Sequence, residues 1–209
     1  MYVKVCGLKT VDAVHAAVDA GADAIGVVMN ETSPRAVPAA VAKTVVDAAH
    51  AAGGDRLDIV LVVNDMPAAD AAGLASDLGF TALQLHGRRY SAEDFAAAAD
   101  VFGTLWRATS LAHDPALEVG AYGERRLLLD APKPGSGERW DLSVLAELGL
   151  TGEWLLAGGL DPANVADAIA QAKPWGVDVS SGVESAPGVK DLDAIARFVT
   201  AAKGASPGG

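Results

Sequence analysis

The chain carries a single thiol, Cys6, which closes the run YVKVC and precedes Gly7. As a thiolate, a cysteine is a base or a nucleophile; as a thiol, it is a small buried hydrophobe. Asp130 ends the run RLLLD and suits either proton donation or the capping of a loop. Arg35, in the triplet SPR, can grip a carboxylate or form a surface ion pair. His86 stands before Gly87, where it can touch a ligand or brace a turn, and Asn64 ends another apolar run. The pair Gly158-Gly159 and the triplet Ser180-Ser181-Gly182 offer backbone N–H groups that can approach a phosphate closely. Their plainer readings are a tight turn and a helix cap. His15, His50 and His113 fall in helical or loop stretches and form no cluster with metal-ligand spacing. No G-x-S-x-G elbow is present.

What positions these residues is a strict alternation. Short apolar runs begin at Tyr2, Asp23, Asp58, Ala82, Thr104, Arg126, Trp154 and Gly176, and each reads as a strand. Their spacing, roughly 20–35 residues, leaves room for one helix between neighbours. Thr10–Ala20 shows apolar Val11, Val14 and Val18 at helical spacing. Pro38 and Pro67 stand where helices open, and Ser91 is placed to cap a helix with Asp94 three residues on. Asp161-Pro162 and Lys190-Asp191 precede two further helical stretches, and His113–Gly120 is the weakest helical segment. Eight strand–helix alternations leave an open doubly wound sheet or a closed barrel. The count of eight favours a single α/β (β/α)₈ TIM barrel, and the Gly-rich signals come after strands seven and eight, not after strand one.

In a barrel the active site lies at the C-terminal strand ends, where Cys6, Asn64, His86, Asp130 and Ser180 all fall. Alternation puts Lys4 with Cys6, Gln84 with His86, Leu128 with Asp130 and Asp178 with Ser180 on the inner face. The outer face then takes Val5, Leu83, Leu85, Leu127, Leu129, Val177 and Val179. Lys4 and Asp178 fall on adjacent strands and are expected to pair. Ring closure seats strand eight beside strand one, so Asp130 and Cys6 flank the Gly-rich sector. A phosphorylated substrate would anchor at Gly158, Gly159, Ser180, Ser181 and Gly182, with its reacting carbons between the two.

The 209 residues, 51% apolar and 21% charged, suit one globular domain. We expect the barrel over residues 1–203 and a flexible tail over 204–209. The net charge of −11 would repel nucleic acid and anionic membranes as main partners. One cysteine excludes an internal disulfide, and no leader or membrane-span pattern is visible, so a cytoplasmic location is expected.

Taken together, KVCGLKT, SPRAV, LQLHG, LLLDA with PGSG, LLAGGLDPANV and GVDVSSGVESAPGVKD resemble the phosphoribosylanthranilate isomerases of tryptophan biosynthesis. The likeness runs from the first strand to the last helix. It implies a (β/α)₈ barrel without cofactor or metal. The implied reaction is an Amadori rearrangement of N-(5-phosphoribosyl)anthranilate to 1-(2-carboxyphenylamino)-1-deoxyribulose 5-phosphate. By resemblance Asp130 is the general acid, Cys6 the general base and Arg35 the binder of the anthranilate carboxylate. His86 and Asp178 would contact substrate. The partner is then a small phosphorylated sugar–anthranilate, and the protein a monomer or homodimer. Met29, Asn30 and Glu31 stand where the family more often has aromatic and small residues, and Glu138 and Arg139 where a less charged pair is expected. Two rival readings remain: another enzyme on a phosphate-binding barrel, or a catalytically silent barrel. A histidine-pathway sugar isomerase would be expected to use two aspartates, whereas strand one here ends in Cys6.

Overall fold

A computed structural model describes residues 1–110, 117–130, 142, 145 and 148–205. All eight expected strands form: β1 (Tyr2–Cys6), β2 (Ala24–Val28), β3 (Asp58–Val63), β4 (Ala82–His86), β5 (Leu105–Ser110), β6 (Arg126–Asp130), β7 (Trp154–Leu156) and β8 (Gly176–Val179). They pair in parallel, each with the next, and β1 with β8 closes the barrel. Among the described residues the helices are α1 (Val11–Asp19), α2 (Ala39–Gly53), α3 (Ala68–Leu78), α4 (Ala92–Ala99), α5 (Val165–Ala172) and α6 (Leu192–Gly204). A short hairpin, β9 (Glu184–Ala186) with β10 (Val189–Lys190), is set between β8 and α6.

The helix starts follow local chemistry. Thr10 Oγ1 accepts from Ala13 N at the head of α1, and Asp191 accepts from Ala194 N at the head of α6. Ser91 and Asp94 form a reciprocal capping box on α4. Pro38 and Pro67 sit at the N-caps of α2 and α3, where a missing N–H costs nothing. α5 begins at Val165, later than the Asp161-Pro162 signal suggests. The reason is a side-chain turn: Asp161 Oδ1 accepts from Ala163 N and Asn164 N, and Asn164 Oδ1 accepts from Asp161 N. Residues 113–116 of the expected 113–120 segment lie outside the described residues; Leu117–Gly120 is not helical. Of the expected tail 204–209, Gly204 is still part of α6 and residues 206–209 lie outside the described residues, as do the PGSG segment, Glu138 and Arg139.

Alternation sorts the two faces of each strand. Val5, Leu83, Leu85, Leu127, Leu129, Val177 and Val179 join the outer core beneath the helices. The inner cluster holds Cys6, Ala24, Val28, Val60, Val62, Trp106, Leu128, Leu155 and Ala157. The β1–β8 register sets Lys4 directly beside Asp178.

The N-terminal end of the interior is filled by a cation among aromatic rings. The Arg126 Cζ lies 4.4 Å from the Tyr2 ring centroid, 4.8 Å from Trp106 and 4.9 Å from Trp175. Its donors reach Glu153 (2.7 Å), Tyr2 Oη (2.8 Å) and Asp58. Tyr2 also donates to Asp58, and burial with that carboxylate pushes its phenol pKa far up. This end is closed by packing and fully paired charge.

Candidate active site

At the opposite end, a cavity of about 450 Å³ opens among the C-terminal strand ends. Its wall includes Cys6 from β1, His86 from β4, Asp130 from β6, Asp178 from β8, Arg35 from the β2–α2 loop, and Gly158, Gly159, Ser180 and Ser181. The structure therefore gathers nearly every residue the sequence singles out, Asn64 included. Gly182 is the exception. A Cβ there would lie 1.9 Å from the Leu160 carbonyl oxygen, so this glycine lets the β8 loop press on the β7 loop. It shapes the sector from behind.

The base of the cavity is an ion pair. Lys4 Nζ donates to Asp178 Oδ1 at 2.7 Å, and the Lys4 side chain is wholly buried. Burial opposes the ammonium charge, but Asp178 and Cys6 outweigh it and raise the Lys4 pKa. Cys6 stands two residues along the same face. Burial pushes its thiol pKa up; the nearby Lys4 ammonium pulls it back only in part. Lys190 adds a weaker pull in the same sense.

Across the cavity, His86 Nε2 lies 3.8 Å from Asp130 Oδ2. Gln84 Nε2 lies 3.4 Å from His86 Nδ1, while Gln84 Oε1 is buried without a partner among the described residues. Burial, helped by the charge of Lys4, lowers the His86 pKa, so its imidazole is neutral near pH 7. A neutral ring so placed is a hydrogen-bonding group, not a second cation.

The Gly-rich sector is held rigidly. Gly158 and Gly159 both take left-handed backbone angles, φ +85° and +71°, and carry no Cβ to shield their N–H groups. Asn164 Nδ2 donates to the Gly159 carbonyl at 2.9 Å and ties this turn to α5. Ser180 Oγ donates to the Cys6 carbonyl, linking the sector to β1.

Arg35 leans across the end of β1. A Cβ at Gly7 would meet Arg35 Cδ at 2.8 Å, so a glycine is needed for the arginine stem to lie there. Asn30 lines the cavity and accepts from Ser33 N, whose Oγ accepts from Arg35 N. Met29 packs on the outer core, and Glu31 is exposed with its N–H on Asp65. Sequence reasoning missed Glu184 and Lys190. Glu184 receives Arg35 Nε and Nη2 at 2.7 and 2.8 Å, and Lys190 at 2.9 Å. The only hint in the sequence was two charges spaced through a short Pro-Gly turn.

The pattern of the N-(5'-phosphoribosyl)anthranilate (PRA) isomerase family matches residues 3–201. The chain belongs to this family. The N-(5'-phosphoribosyl)anthranilate isomerase of Magnetococcus marinus is 41% identical, over 99% of this chain and 97% of its own length. Among solved structures, TrpF from Jonesia denitrificans is 56% identical with a TM-score of 0.89, covering 98% of each chain. A phosphoribosyl anthranilate isomerase solved in complex with reduced 1-(o-carboxyphenylamino)-1-deoxyribulose 5-phosphate is 29% identical with a TM-score of 0.79, covering 98% of this chain and 99% of that one. The thiamine phosphate pyrophosphorylase of Pyrococcus furiosus, 18% identical with a TM-score of 0.68 over 97% and 95% of the two chains, shares the fold. Among the described residues no helix is long and apolar enough to cross a membrane, and no group of three or more His, Cys, Asp or Glu could hold a metal ion.

Proposed function

We propose that this PRA isomerase family member converts N-(5-phosphoribosyl)anthranilate to 1-(2-carboxyphenylamino)-1-deoxyribulose 5-phosphate, with Asp130 as general acid and Cys6 as general base. One observation carries the reading. The thiol and the carboxyl share a cavity that has the Gly158-Gly159 and Ser180-Ser181 turns in its wall and Arg35 in its rim.

The chemistry needs two proton transfers. Asp130 gives a proton to the furanose ring oxygen. The C1–O bond breaks as the aniline nitrogen lone pair forms the C1=N bond of an iminium. That cation acidifies the C2 hydrogen, which the Cys6 thiolate removes. The electron pair left at C2 forms the C1=C2 bond and neutralises the nitrogen. The enolamine then gains a proton at C1 and loses one from the C2 hydroxyl, which gives the ketone.

The rest of the cavity binds and orients. Backbone N–H groups of the cavity-lining Gly158, Gly159 and Ser180-Ser181 turns suit a phosphate. Gly182 supports that turn. Arg35 suits the anthranilate carboxylate, and His86 and Asp178 suit the sugar hydroxyls. Fixing the phosphate end converts binding energy into alignment of C1 and C2. Every group in this scheme comes from one chain, so it works for a monomer or a homodimer. A free thiol as base suits a reducing compartment such as the cytoplasm. Tryptophan biosynthesis is the pathway that uses this reaction.

The test is direct conversion. The purified protein is given N-(5-phosphoribosyl)anthranilate, and the C2 ketone is followed by carbon-13 NMR; rescue of a tryptophan auxotroph lacking this isomerase is the matching assay in cells. Absence of conversion by folded protein would sink the reading.

A further inference from the structure

We infer that Glu184 is a positioning residue that fixes Arg35 so that only its end-on fork is left to receive a carboxylate, making the site selective for a carboxylated aromatic amine. The inference rests on the proposed function and names the part of the site that decides which amine is accepted.

A guanidinium has five N–H donors in one plane. Glu184 takes the side-on pair, Nε at 2.7 Å and Nη2 at 2.8 Å. What remains is Nη1 and the second hydrogen of Nη2, a fork whose spacing matches the two oxygens of another carboxylate. Arg35 lines the cavity, so this fork belongs to a group in contact with it.

Glu184 is itself held. Its side chain is 4% exposed, against 23% for Arg35. Besides Arg35 it accepts from Lys190 Nζ at 2.9 Å and from Gly188 N at 3.1 Å. Lys190 in turn donates to the Ser180 carbonyl at 2.8 Å. Gly188 fits because a Cβ there would lie 2.4 Å from the Pro34 carbonyl oxygen. The hairpin is thus seated on the SPR loop and fastened to the end of β8. Burial disfavours the Glu184 charge, yet the bonds from Arg35 and Lys190 outweigh it and keep its pKa below the usual range.

Two consequences follow for binding. The arginine is ordered before substrate arrives, so less rotamer entropy is lost on binding. The charges of Arg35, Lys190 and Glu184 sum to a single positive unit, which one carboxylate neutralises. A substrate without a carboxylate would leave the fork unpaired.

The experiment compares kcat/KM for N-(5-phosphoribosyl)anthranilate and for N-(5-phosphoribosyl)aniline, which lacks the carboxylate, in wild type, Glu184→Gln, Arg35→Ala and the double variant. Thermal melting checks that each is folded. We expect Glu184→Gln to lower the anthranilate-to-aniline ratio about tenfold, mainly through KM for the carboxylated substrate, with the aniline rate changed less than about threefold. In the Arg35→Ala background the same substitution should leave the ratio unmoved, an outcome that a general packing role would not give. If Glu184 only neutralises charge, its replacement by Gln will hold or raise the ratio, and the inference is overturned. A wild-type ratio near one would instead refute the carboxylate role of Arg35, and no turnover of either substrate would refute the proposed reaction.

Discussion

The two ends of the barrel interior both hold a buried cation, and they use it in opposite ways. At the N-terminal end Arg126 is surrounded by three aromatic rings and shared between Asp58, Glu153 and Tyr2, so its charge is spent on closure. At the C-terminal end Lys4 has one carboxylate partner, Asp178, and a thiol beside it. The first arrangement has its charges paired and seals the barrel. The second keeps electrostatic capacity for a group that must change protonation. Strand identity does not separate them, since β1 supplies Tyr2 to one end and Cys6 to the other. What differs is whether partners fill the space or leave about 450 Å³ open.

The contrast breaks if loss of function and loss of stability fall at the wrong ends. The largest effect is expected at the open end: Cys6→Ala and Asp130→Asn should each lower kcat by about 10³-fold or more, within the range for one acid–base group, with melting temperature nearly unchanged. Steady-state kinetics beside calorimetry decides this, and a variant with near-wild-type kcat would remove that residue from the chemistry. At the closed end Arg126→Met strips the cation from Asp58 and Glu153. It should cost about 3–5 kcal/mol of stability, while kcat of the folded fraction at low temperature stays within a few-fold. Urea unfolding followed by activity assay measures both, and a large kcat loss with intact stability would erase the distinction.

Lys4 is the cation of the open end but also holds a buried ion pair, so it should show a mixed effect. Lys4→Met leaves Asp178 buried and unpaired, so stability should fall by roughly 3 kcal/mol, and adding Asp178→Asn should recover much of it. The thiol effect has a definite sign. Burial raises the Cys6 pKa above its ordinary value and Lys4 partly offsets this. Activity limited by thiolate should therefore rise with pH through neutrality, and removing Lys4 should move the rise further into alkali. Iodoacetamide alkylation of Cys6 across pH reads this independently of turnover; a rise at unchanged pH would rule out the offset. The smallest effect is at the rim: Arg35→Ala should raise KM about 10–100-fold with kcat changed only a few-fold. An unchanged KM would sink its binding role.

How much of this could be read in advance differed between the two ends. The open end was legible because alternation along each strand exposes a polar residue where a packing residue belongs: Lys4 and Cys6 against Val5, or Gln84 and His86 against Leu83 and Leu85. Strand order then brought β8 beside β1 and so predicted the Lys4–Asp178 pair. The closed end was not legible. Tyr2, Asp58, Trp106, Arg126, Glu153 and Trp175 sit at strand starts and connections, and nothing in their local spacing marks them as one cluster. The hairpin was missed for a related reason. Its strands of three and two residues carry no periodic signal, and Arg35 and Glu184 are 149 residues apart. The late start of α5 was hidden because Asp161 and Asn164 cap each other instead of simply opening a helix.

The Lys4–Asp178 bond joins residues 174 positions apart across the seam between the first strand and the last. During synthesis at about 5–20 residues per second, the amine emerges roughly 10–35 seconds before its carboxylate. Cys6 belongs to the same early segment, whereas Ser180, Glu184 and Lys190 follow Asp178. A nascent or truncated chain that stops before β8 thus has its thiol without the surroundings that tune it. Activity therefore reports that translation has passed β8 and the hairpin: the earlier-made part of the site waits for the later-made part before either can work.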